Sequence, residues 1–459
     1  MGLPISQNLS MQNDGYDCII IGAGTAGITA AVELSKAKKR VLVLESKSYL
    51  GGRARSFEDT ATGETIDNGQ HILMGCYTSL LYVFKELKTD CLLTRQNALS
   101  VNFIDSDGRR DLLNTSILPG KLGVALGILN LQNISWRSKL RAIQFAVLLQ
   151  AGRVKTENLT AQKFLEKHRQ PVEIIERFWE PIILATLNST PHQAAASLLV
   201  EVLKRAFFGG RTASQILIPS LGLSSLFAPF PDWLENHGGK LMLGTSVHSM
   251  EINEGIISRV ITSGGEELTA KTIIAALPPK QLLRILPQEL QSHPKFDALH
   301  EYQFSPIVSV YLWFDRDWCD IDFAAMLGTK TQWIFNRRKI AKAEPLLRTK
   351  FPGHISLTVS AGDELVDIHP EQVVLLCVEE LKRAFPKATD AQLLSWKVIK
   401  EKSATFLATP AMGNRRLPAE TFIPNLFLAG DWTDTSLPAT LEGAAQSGVK
   451  AAKCALSSL

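Results

Sequence analysis

Residues 16–27 read YDCIIIGAGTAG, an apolar run that leads directly into three closely spaced glycines. The apolar residues at 16–21 are typical of a buried parallel strand, and the Ala-rich segment 25–35 has a helical pattern. A second apolar run, RVLVLE, follows at 40–45. A strand, a helix and a strand within about thirty residues form one βαβ unit, which predicts an α/β fold.

The three glycines suit a loop that holds a pyrophosphate. Gly22 allows a tight turn, Gly24 lets the pyrophosphate approach the backbone, and Gly27 lets helix and strand pack closely. The helix N-terminus adds free N–H groups and a positive dipole. Glu45 ends the second strand 23 residues after Gly22, where its carboxylate can bind ribose hydroxyls and would repel a 2′-phosphate. The unit therefore predicts a dinucleotide site that disfavours NADP.

Two short motifs follow the second strand. In LGGRARS (50–56), glycines such as Gly52 let the backbone pass close to a ligand, and Arg53 can neutralise a diphosphate. In DNGQH (67–71), no further ligands converge on the Asp and the His, so we expect no metal there. His71 is either a structural histidine or a residue that lines the reaction cavity.

The other end of the chain carries a matching pair of motifs. In LAGDWT (428–433), Asp431 can bind ribityl hydroxyls and Gly430 lets a cofactor lie on the backbone. PATLEGAAQSG (438–448) begins the last helix. A helix N-terminus aimed at the pyrimidine end of a flavin would stabilise negative charge on the reduced ring. We therefore expect the two ends of the chain to fold together around one cofactor.

Between these ends the pattern is first mainly helical and later β-rich. We predict a discontinuous cofactor domain, formed by 1–80, 215–275 and 401–459, and a substrate domain, formed by 81–214 (mainly helical) and 276–400 (sheet plus helices). The inserted regions also contain large apolar side chains that can build an apolar tunnel: Phe178, Trp179, Phe207, Phe208, Trp313, Phe314, Trp333 and Phe335.

Composition limits the class of partner and the compartment. The 459 residues include 49 Lys and Arg against 45 Asp and Glu, too small an excess to indicate a nucleic-acid partner. The six cysteines form no CxxC pair, which favours reduced thiols and a cytoplasmic location. No apolar run is long enough to span a membrane. The apolar segment 117–150 is either a pair of core helices or a helix on a bilayer surface, and the second alternative makes the protein peripheral on the inner face of the membrane.

The glycine, Glu45, Gly-Gly-Arg and LAGDWT…ATLEGAAQSG motifs together resemble the FAD-binding signature of the flavin amine oxidase and carotenoid desaturase superfamily. Within that superfamily the chain most resembles the hydroxysqualene dehydroxylases of hopanoid biosynthesis, in three stretches: IDNGQHILMGCYTSL (66–80), RFWEPIILATLN (177–188) and PGHISLTVSA (352–361). The resemblance implies a Rossmann-type FAD-binding domain with an inserted α+β substrate domain of the amine oxidase type.

The resemblance also implies a role for each motif in binding FAD. The residues it assigns to the cofactor are Gly22, Gly24 and Gly27 at the pyrophosphate, Glu45 at the adenosine ribose, Gly52 and Arg53 along the diphosphate, Val247 at the adenine, Gly430 and Asp431 at the ribityl chain and phosphate, and Leu441, Glu442, Gly443 and Ala444 under the flavin. Amine oxidases of this fold carry a Lys near flavin N5, whereas the corresponding run here, SPIVSVYLWF (305–314), has none. An amine substrate is therefore not expected.

The implied reaction is reduction of hydroxysqualene to squalene by hydride from reduced flavin, on a lipophilic isoprenoid substrate. Two alternatives stay open: a phytoene-type carotenoid desaturase, and a non-catalytic FAD-bound partner that channels intermediates. The electron donor is not identified, because no second GxGxxG motif is present. Glu180, in RFWEPI, is either an exposed or salt-bridged carboxylate or, if buried, a protonated general acid; His71 is the second candidate.

Overall fold

The structure is a computed structural model that describes residues 15–118, 120–210, 212–341 and 350–459. Its strands, in chain order, are β1 (Tyr16–Ile21), β2 (Val41–Leu44), β3 (Ser56–Glu58), β4 (Thr65–Asp67), β5 (Leu73–Met74), β6 (Leu93–Arg95), β7 (Ser100–Asp105), β8 (Arg110–Asn114), β9 (Ile216–Pro219), β10 (Lys240–Met242), β11 (Val247–Asn253), β12 (Ile256–Thr262), β13 (Glu267–Leu268), β14 (Ala270–Ala275), β15 (Phe304–Phe314), β16 (Phe323–Leu327), β17 (Trp333–Asn336), β18 (Gly353–Ser360), β19 (Leu393–Phe406) and β20 (Leu426–Leu428).

The α-helices are α1 (Thr25–Lys36), α2 (Thr78–Glu86), α3 (Gly120–Asn130), α4 (Trp136–Gln150), α5 (Ala161–Lys167), α6 (Val172–Ile174), α7 (Glu180–Leu187), α8 (Ala196–Phe208), α9 (Ser224–Phe227), α10 (Phe230–Asn236), α11 (Pro279–Ile285), α12 (Gln288–Gln291), α13 (Ala298–Glu301), α14 (Arg337–Ile340), α15 (Asp363–Val366), α16 (Pro370–Ala384), α17 (Pro410–Gly413) and α18 (Leu441–Ser458). A π-helical turn, Ile175–Trp179, joins α6 to α7.

A five-stranded parallel sheet brings the two ends of the chain together. Its order is β10–β2–β1–β14–β20, and every neighbouring pair is parallel. The first helix α1 and the last helix α18 pack on each other, and both contact strands of this sheet. Strand β2 is buried along its whole length, as expected for a parallel strand that is covered on both faces. This sheet confirms the predicted α/β fold.

A seven-stranded mixed sheet forms the second large layer, in the order β19–β15–β18–β17–β16–β7–β8. Its pairs are antiparallel except for β16 with β7. One face of β15, which includes Val308 and Val310, lies in an apolar core with α16 residues such as Val373. The other face carries Tyr311, whose hydroxyl donates to the carbonyl of Asp67 in β4 at 2.9 Å. That second face is turned toward the cofactor side of the molecule.

The structure differs from the sequence-based element assignment at several strands. Strands β7 and β8 lie inside the segment predicted to be mainly helical, and β16 was not anticipated. The buried run of β16, FAAML, has no alternation because both of its faces are covered, so its pattern does not distinguish strand from helix. Strand β19 continues through the predicted domain limit at 400/401, since it pairs with β15 along most of its length.

The apolar segment 117–150 forms two helices, α3 and α4, which contact each other. Both helices also contact α8. Across the residues that the structure describes, no helix combines the length and the apolar character needed to cross a bilayer. The prediction of a helix pair in this segment therefore agrees with the structure, and its exposed apolar side chains are considered below.

Candidate active site

A cavity of about 650 Å³ lies between the two large sheets. On one side it is lined by residues that follow the carboxyl ends of parallel strands, such as Gly22 after β1 and Glu45 after β2. On the other side it is lined by residues of β15, β17 and β18, such as Ile307 and Thr358. Ligands of open α/β sheets bind outside the carboxyl ends of the strands, so this cavity is the candidate site.

The first glycine loop has the shape that the sequence predicts. Gly22 has a φ of +105°, and a Cβ on it would lie 2.6 Å from the carbonyl oxygen of Ala276. A Cβ on Gly27 would lie only 1.9 Å from the carbonyl oxygen of Gly22. Gly24 differs, because the nearest atom to its absent Cβ is the Cα of Gly52 at 4.0 Å. The first and third glycines thus close the turn, while Gly24 leaves room at the cavity wall.

The second glycine loop lies directly against the first. The Gly51 N–H donates to the carbonyl of Ala23 at 3.0 Å, and Gly51 and Gly24 form a parallel β-bridge. Gly52 has a φ of +63°, which favours glycine, and its absent Cβ would be 3.3 Å from the Cα of Gly24. The two loops therefore form one backbone surface that lines the cavity.

The start of helix α1 is open to a ligand. Gly24 is the N-cap residue and provides no side chain to satisfy the first N–H groups. Thr25 lines the cavity, and its Oγ1 is buried without a hydrogen-bond partner among the described residues. A phosphate at this position would meet free N–H groups, a hydroxyl and the positive end of the helix dipole. These residues fit the diphosphate of FAD.

Glu45 stands where an adenosine ribose would be expected. It is buried and lines the cavity. Its Oε2 accepts from the Ala23 N–H at 2.7 Å, and its Oε1 accepts from the Lys47 N–H at 2.9 Å. The carboxylate is therefore held in place by backbone donors from both the glycine loop and the end of β2.

Arg53 and Asp431 join the N-terminal and C-terminal motifs across the cavity wall. The Arg53 Nη2 lies 2.5 Å from Asp431 Oδ1, and its Nη1 donates to the carbonyl of Ala404 at 2.7 Å. Both residues of the pair line the cavity, although Asp431 is buried and Arg53 is partly exposed. Gly430 directly precedes Asp431 with a φ of +152°, and its N–H donates to Ser447 Oγ at 2.8 Å. The assignment of Arg53 to a diphosphate and of Asp431 to the ribityl chain and phosphate stays a prediction.

At the start of helix α18, two of the four residues assigned to the flavin line the cavity. Leu441 and Ala444 line the cavity. Thr440 caps the helix by accepting from the Gly443 N–H at 3.0 Å. Glu442 instead turns its carboxylate to the start of α2, where it accepts from the N–H groups of Ser79 at 3.1 Å and Leu80 at 2.9 Å.

The Glu442 side chain is 1% exposed and is not among the residues that line the main cavity, so its assignment to the flavin stays a prediction. The carboxylate turns to α2 because that helix begins here without a capping side chain of its own, and a carboxylate at a helix N-terminus satisfies that need. Burial raises the pKa of Glu442, and the two N–H donors oppose that rise. Gly443 likewise does not line the cavity.

Val247 begins β11 and does not line the cavity. Its segment is nevertheless tied to the end of β2, since the Thr245 N–H donates to the carbonyl of Glu45 at 2.8 Å. The assignment of Val247 to an adenine contact stays a prediction. A ligand that extends past Glu45 would reach this segment next.

His71 lies at the cavity, whereas Glu180 does not. The ring Nδ1 of His71 is 2.7 Å from the carbonyl oxygen of Gly69, and burial lowers the pKa of the imidazole. Glu180 begins α7 just after the π-helical turn, and burial together with the nearby Glu176 raises its pKa. From α7 the cavity is lined by Ala185 and Thr186, more than a turn further on. The geometry therefore favours His71 as the residue that meets a ligand.

Of the large apolar residues named from the sequence, Trp333 and Phe335 line the cavity. Trp313 and Phe314 are buried in core clusters on opposite faces of β15, and Phe178 and Trp179 are buried in the largest core cluster. Sequence reasoning missed Thr358 and Ser360, which line the cavity from β18. The alternation of HISLTVS (354–360) was the signal that could have found them, because it places every second, polar residue on one face.

A further contact fixes the loop that carries His71. The preceding residue, Gln70, lines the cavity, and the buried Arg337 donates to its Oε1 at 2.6 Å. Asn188, at the end of α7, donates to Thr405 Oγ1 at 2.9 Å and accepts from the Ala361 N–H at 2.7 Å. Both contacts join elements far apart in sequence, so neither was visible from the sequence.

Comparison with known proteins places this site in a family. The model of the family described as flavin containing amine oxidoreductase matches residues 25–456. Among curated proteins, the hydroxysqualene dehydroxylase of Sinorhizobium fredii is 29% identical, covering 95% of this chain and 98% of its own length. That of Rhodopseudomonas palustris is 27% identical, with 95% and 97% covered. A 15-cis-phytoene desaturase of Synechococcus elongatus is 23% identical, with 94% and 93% covered.

Solved structures with the same fold include amine oxidases. Putrescine oxidase bound to putrescine superposes with a TM-score of 0.72 at 17% identity, covering 96% of this chain and 99% of the other. Cyclohexylamine oxidase from Brevibacterium oxydans gives 0.69 at 18% identity, with the same coverage. At 17% and 18% identity, the similarity shows a shared fold and carries no conclusion about the substrate. The family match extends over nearly the whole chain, so this protein belongs to the flavin-containing amine oxidoreductase family and is an FAD-dependent oxidoreductase.

Proposed function

We propose that this enzyme reduces hydroxysqualene to squalene. The observation that carries the proposal is the end-to-end similarity to three curated hydroxysqualene dehydroxylases, at 27–29% identity over 95% of the chain. The phytoene desaturases among the relatives are 22–24% identical over a similar part of the chain. The absence of a lysine from 305–314 also disfavours an amine substrate.

The reaction divides into a redox step and a proton step. FAD held in its reduced form at the two glycine loops would supply a hydride to carbon, so that a C–H bond would replace the C–O bond and the oxygen would leave as water after taking up one proton. The chain's own part is to bind the substrate, exclude water and handle that proton. Ile307 and Phe335 form apolar parts of the cavity wall and would keep water away from the reacting carbon.

His71 is the proposed proton-handling residue. Because burial lowers its pKa, the imidazole is neutral near pH 7. In that form Nδ1 donates to the carbonyl of Gly69 and Nε2 has a free lone pair, so Nε2 would take up a proton from water before passing it to the departing oxygen. Gln70 and Arg337 would hold the loop so that this nitrogen keeps its position.

An anaerobic assay tests the proposal. Photoreduced holoenzyme mixed with hydroxysqualene should become reoxidised and form one squalene per flavin. Oxidised holoenzyme mixed with phytoene should remain oxidised. Flavin reduction by phytoene would assign the enzyme to the desaturases, and an FAD-bound protein that converts neither compound would indicate a non-catalytic channelling partner.

We further propose that the enzyme takes its substrate from a membrane surface through α3 and α4. These helices and the turn before them expose eight large apolar side chains by 38% to 70%: Ile117, Leu118, Leu122, Leu129, Trp136, Leu140, Val147 and Leu148. Between Leu112 and Thr156 the sequence has six Lys or Arg and no Asp or Glu. An apolar surface within a basic segment suits a bilayer that contains anionic lipids.

A small cavity lies between α8 and the main cavity, at the place where the proposed route would have to widen. It measures about 30 Å³ and shares Tyr77, Thr186 and Thr440 with the main cavity, and its lining also includes Arg205 and Glu442. It is also lined by Val202 and Ala206 of α8, the helix on which α3 and α4 pack. A polyprenyl chain is as well solvated in lipid as in an apolar tunnel, so such a route needs little free energy of transfer.

Liposome flotation tests the membrane contact. The wild-type protein should float with anionic vesicles, and Leu122→Gln with Val147→Gln should abolish flotation. Leu375→Gln is the matched control, because Leu375 is 63% exposed on α16 and Leu122 is 66% exposed on α3. A wild-type protein that stays unbound with both anionic and neutral vesicles would contradict the proposal.

A further inference from the structure

Three side chains in one row of the seven-stranded sheet have buried polar atoms without a partner among the residues that the structure describes. These atoms are Ser309 Oγ, Thr358 Oγ1 and Trp333 Nε1. Ser309 on β15 is directly opposite Thr358 on β18, and Thr358 is directly opposite Trp333 on β17. Residues opposite each other on neighbouring strands lie on the same face with Cβ atoms about 5 Å apart, so the three form a continuous row.

The row lies at the substrate side of the cavity. Thr358 and Trp333 contribute atoms to the cavity wall, and Ser309 is fully buried behind them. Thr358 Oγ1 and Trp333 Nε1 are themselves covered, so a substrate oxygen would reach them after a side-chain rotation. Ser309 also touches the loop that carries His71, since its Oγ would be 3.1 Å from a Cβ placed on Gly69. The row therefore connects the proposed proton-handling loop to the wall on which a substrate would rest.

Leaving these atoms unpaired would be costly. A buried hydroxyl or N–H without a hydrogen bond destabilises a fold by about 1–3 kcal/mol, and native proteins rarely keep such atoms without a reason. Their neighbours Ile307 and Phe335 on the same wall are apolar. A row of donors and acceptors within an apolar wall matches a molecule that is apolar apart from one polar group.

A second observation concerns the kind of hydrogen bond that these side chains can make. The Trp333 indole can only donate, whereas the Thr358 hydroxyl can both donate and accept. Asn68 also lines the cavity, next to Gly69, and its buried Oδ1 lacks a partner among the described residues and can accept. An alcohol needs one acceptor and up to two donors, and these groups supply both.

We infer that Trp333 and Thr358 bind the hydroxyl group of the substrate. The inference rests on the proposed function and adds to it the residues that distinguish a hydroxylated polyprenyl chain from the hydrocarbon product. Trp333 donates to the substrate oxygen, and Thr358 completes its hydrogen bonding. Once the oxygen has left as water, squalene has no group to pair with the row and is released in preference to the substrate.

Binding to the oxidised holoenzyme tests the inference, because oxidised flavin cannot reduce the substrate. Hydroxysqualene and squalene are each titrated while the change in flavin absorption is followed. The wild-type enzyme should bind hydroxysqualene about tenfold more tightly than squalene, the effect of one or two neutral hydrogen bonds. Thr358→Val and Trp333→Phe should each bring this affinity ratio toward one and leave squalene binding unchanged. Thr358→Ser should keep the ratio of the wild-type enzyme.

Trp318→Phe is the matched control for Trp333→Phe. Trp318 also has a buried indole N–H without a partner in the described part of the chain, but it packs against Phe385 in the core on the other face of the sheet. Its substitution should leave the ratio unchanged. FAD content reports on folding in every variant.

Two results would overturn the inference: a wild-type ratio near one, or a ratio that neither Thr358→Val nor Trp333→Phe alters. The second result would assign the row to an ordered water. The turnover assay separates the two proposals. If the wild-type enzyme forms squalene while either of these results holds, only the hydroxyl-binding row is wrong; if it forms no squalene, the proposed function is wrong.

Discussion

The cofactor side of the cavity is made mostly of backbone, whereas the substrate side is made of side chains. On the cofactor side, two glycine loops touch through Gly24, Gly51 and Gly52 and leave the start of α1 uncapped. On the substrate side, Thr358 and Trp333 project from neighbouring antiparallel strands of the mixed sheet. One side is therefore specified by local conformation, and the other by which residues the sheet places together.

This difference determines how each side should respond to substitution. A backbone surface has almost no tolerance for an added Cβ, and its failure should remove the cofactor or the fold. A side-chain surface can lose one polar group and still fold, and its failure should alter turnover or specificity.

The largest effect is expected for Gly27→Ala. The new Cβ would lie 1.9 Å from the carbonyl oxygen of Gly22, a backbone atom that cannot move without opening the loop. We expect a loss of about 3 kcal/mol or more in stability and loss of bound FAD. Gly264→Ala is the control, because its Cβ would meet nothing closer than Thr262 Oγ1 at 3.7 Å. Normal flavin content in Gly27→Ala would show that the glycine loop is not the cofactor site.

His71→Asn should act on turnover and leave the cofactor in place. Loss of a proton-handling group lowers the rate by about 100-fold or more. Glu180→Gln should have the smaller effect, because Glu180 does not line the cavity. The measurement is single-turnover formation of squalene by photoreduced enzyme with matched flavin content. A larger loss in Glu180→Gln than in His71→Asn would reverse this assignment.

The pH dependence of stability should report on the substrate-side sheet. Burial, opposed by the hydrogen bond from Nδ1 to Glu64 at 3.0 Å, lowers the pKa of His354 to about 4. The unfolded chain binds this proton at its ordinary pKa near 6.5, so the native state loses stability as the pH falls through the interval between these values. We expect His354 to account for about 2 kcal/mol of the loss between pH 7 and pH 5.

Urea unfolding at pH 7 and pH 5 measures this loss. The difference between the two pH values should be smaller in His354→Gln than in the wild-type protein. His248→Gln, at an exposed position on β11, should retain the wild-type difference. Equal differences in all three proteins would mean that His354 is not a buried neutral imidazole.

Arg53→Gln should have the smallest of the four effects. It leaves the buried Asp431 without its 2.5 Å partner, but Arg53 is 40% exposed, so solvent weakens the interaction. We expect FAD to bind about tenfold more weakly. Arg110→Gln removes an exposed pair with Asp320 and serves as the control. Unchanged FAD affinity in Arg53→Gln would separate this pair from the cofactor site.

The contrast between the two sides also explains what the sequence could predict. Gly22, Gly27 and Glu45 lie within one βαβ unit, and their spacing alone indicates a dinucleotide loop. Glu442 belongs to an equally recognisable motif, yet the direction of its side chain depends on the start of α2. The N–H groups that it accepts from belong to Ser79 and Leu80, which precede it by 363 and 362 residues. A motif fixes the backbone, but a remote helix end decides where that carboxylate points.

The substrate side could be predicted only in part. The sequence predicts Trp333 and Phe335 in an apolar tunnel, and the alternation of 354–360 places its Ser and Thr residues on one face of the strand. Nothing in the sequence states that Thr358 faces Trp333 and Ser309, because strand register over such separations is set by tertiary pairing. The FAD motifs therefore identified the family, while the substrate contacts required the structure.

The visible spectrum of the purified protein, recorded before and after addition of hydroxysqualene, tests most directly the claim that cofactor and substrate share one cavity. The account predicts a flavin absorption band at one FAD per chain, and a shift of that band when hydroxysqualene binds. A colourless protein that takes up no FAD, or a flavin band that saturating hydroxysqualene leaves unchanged, would contradict it.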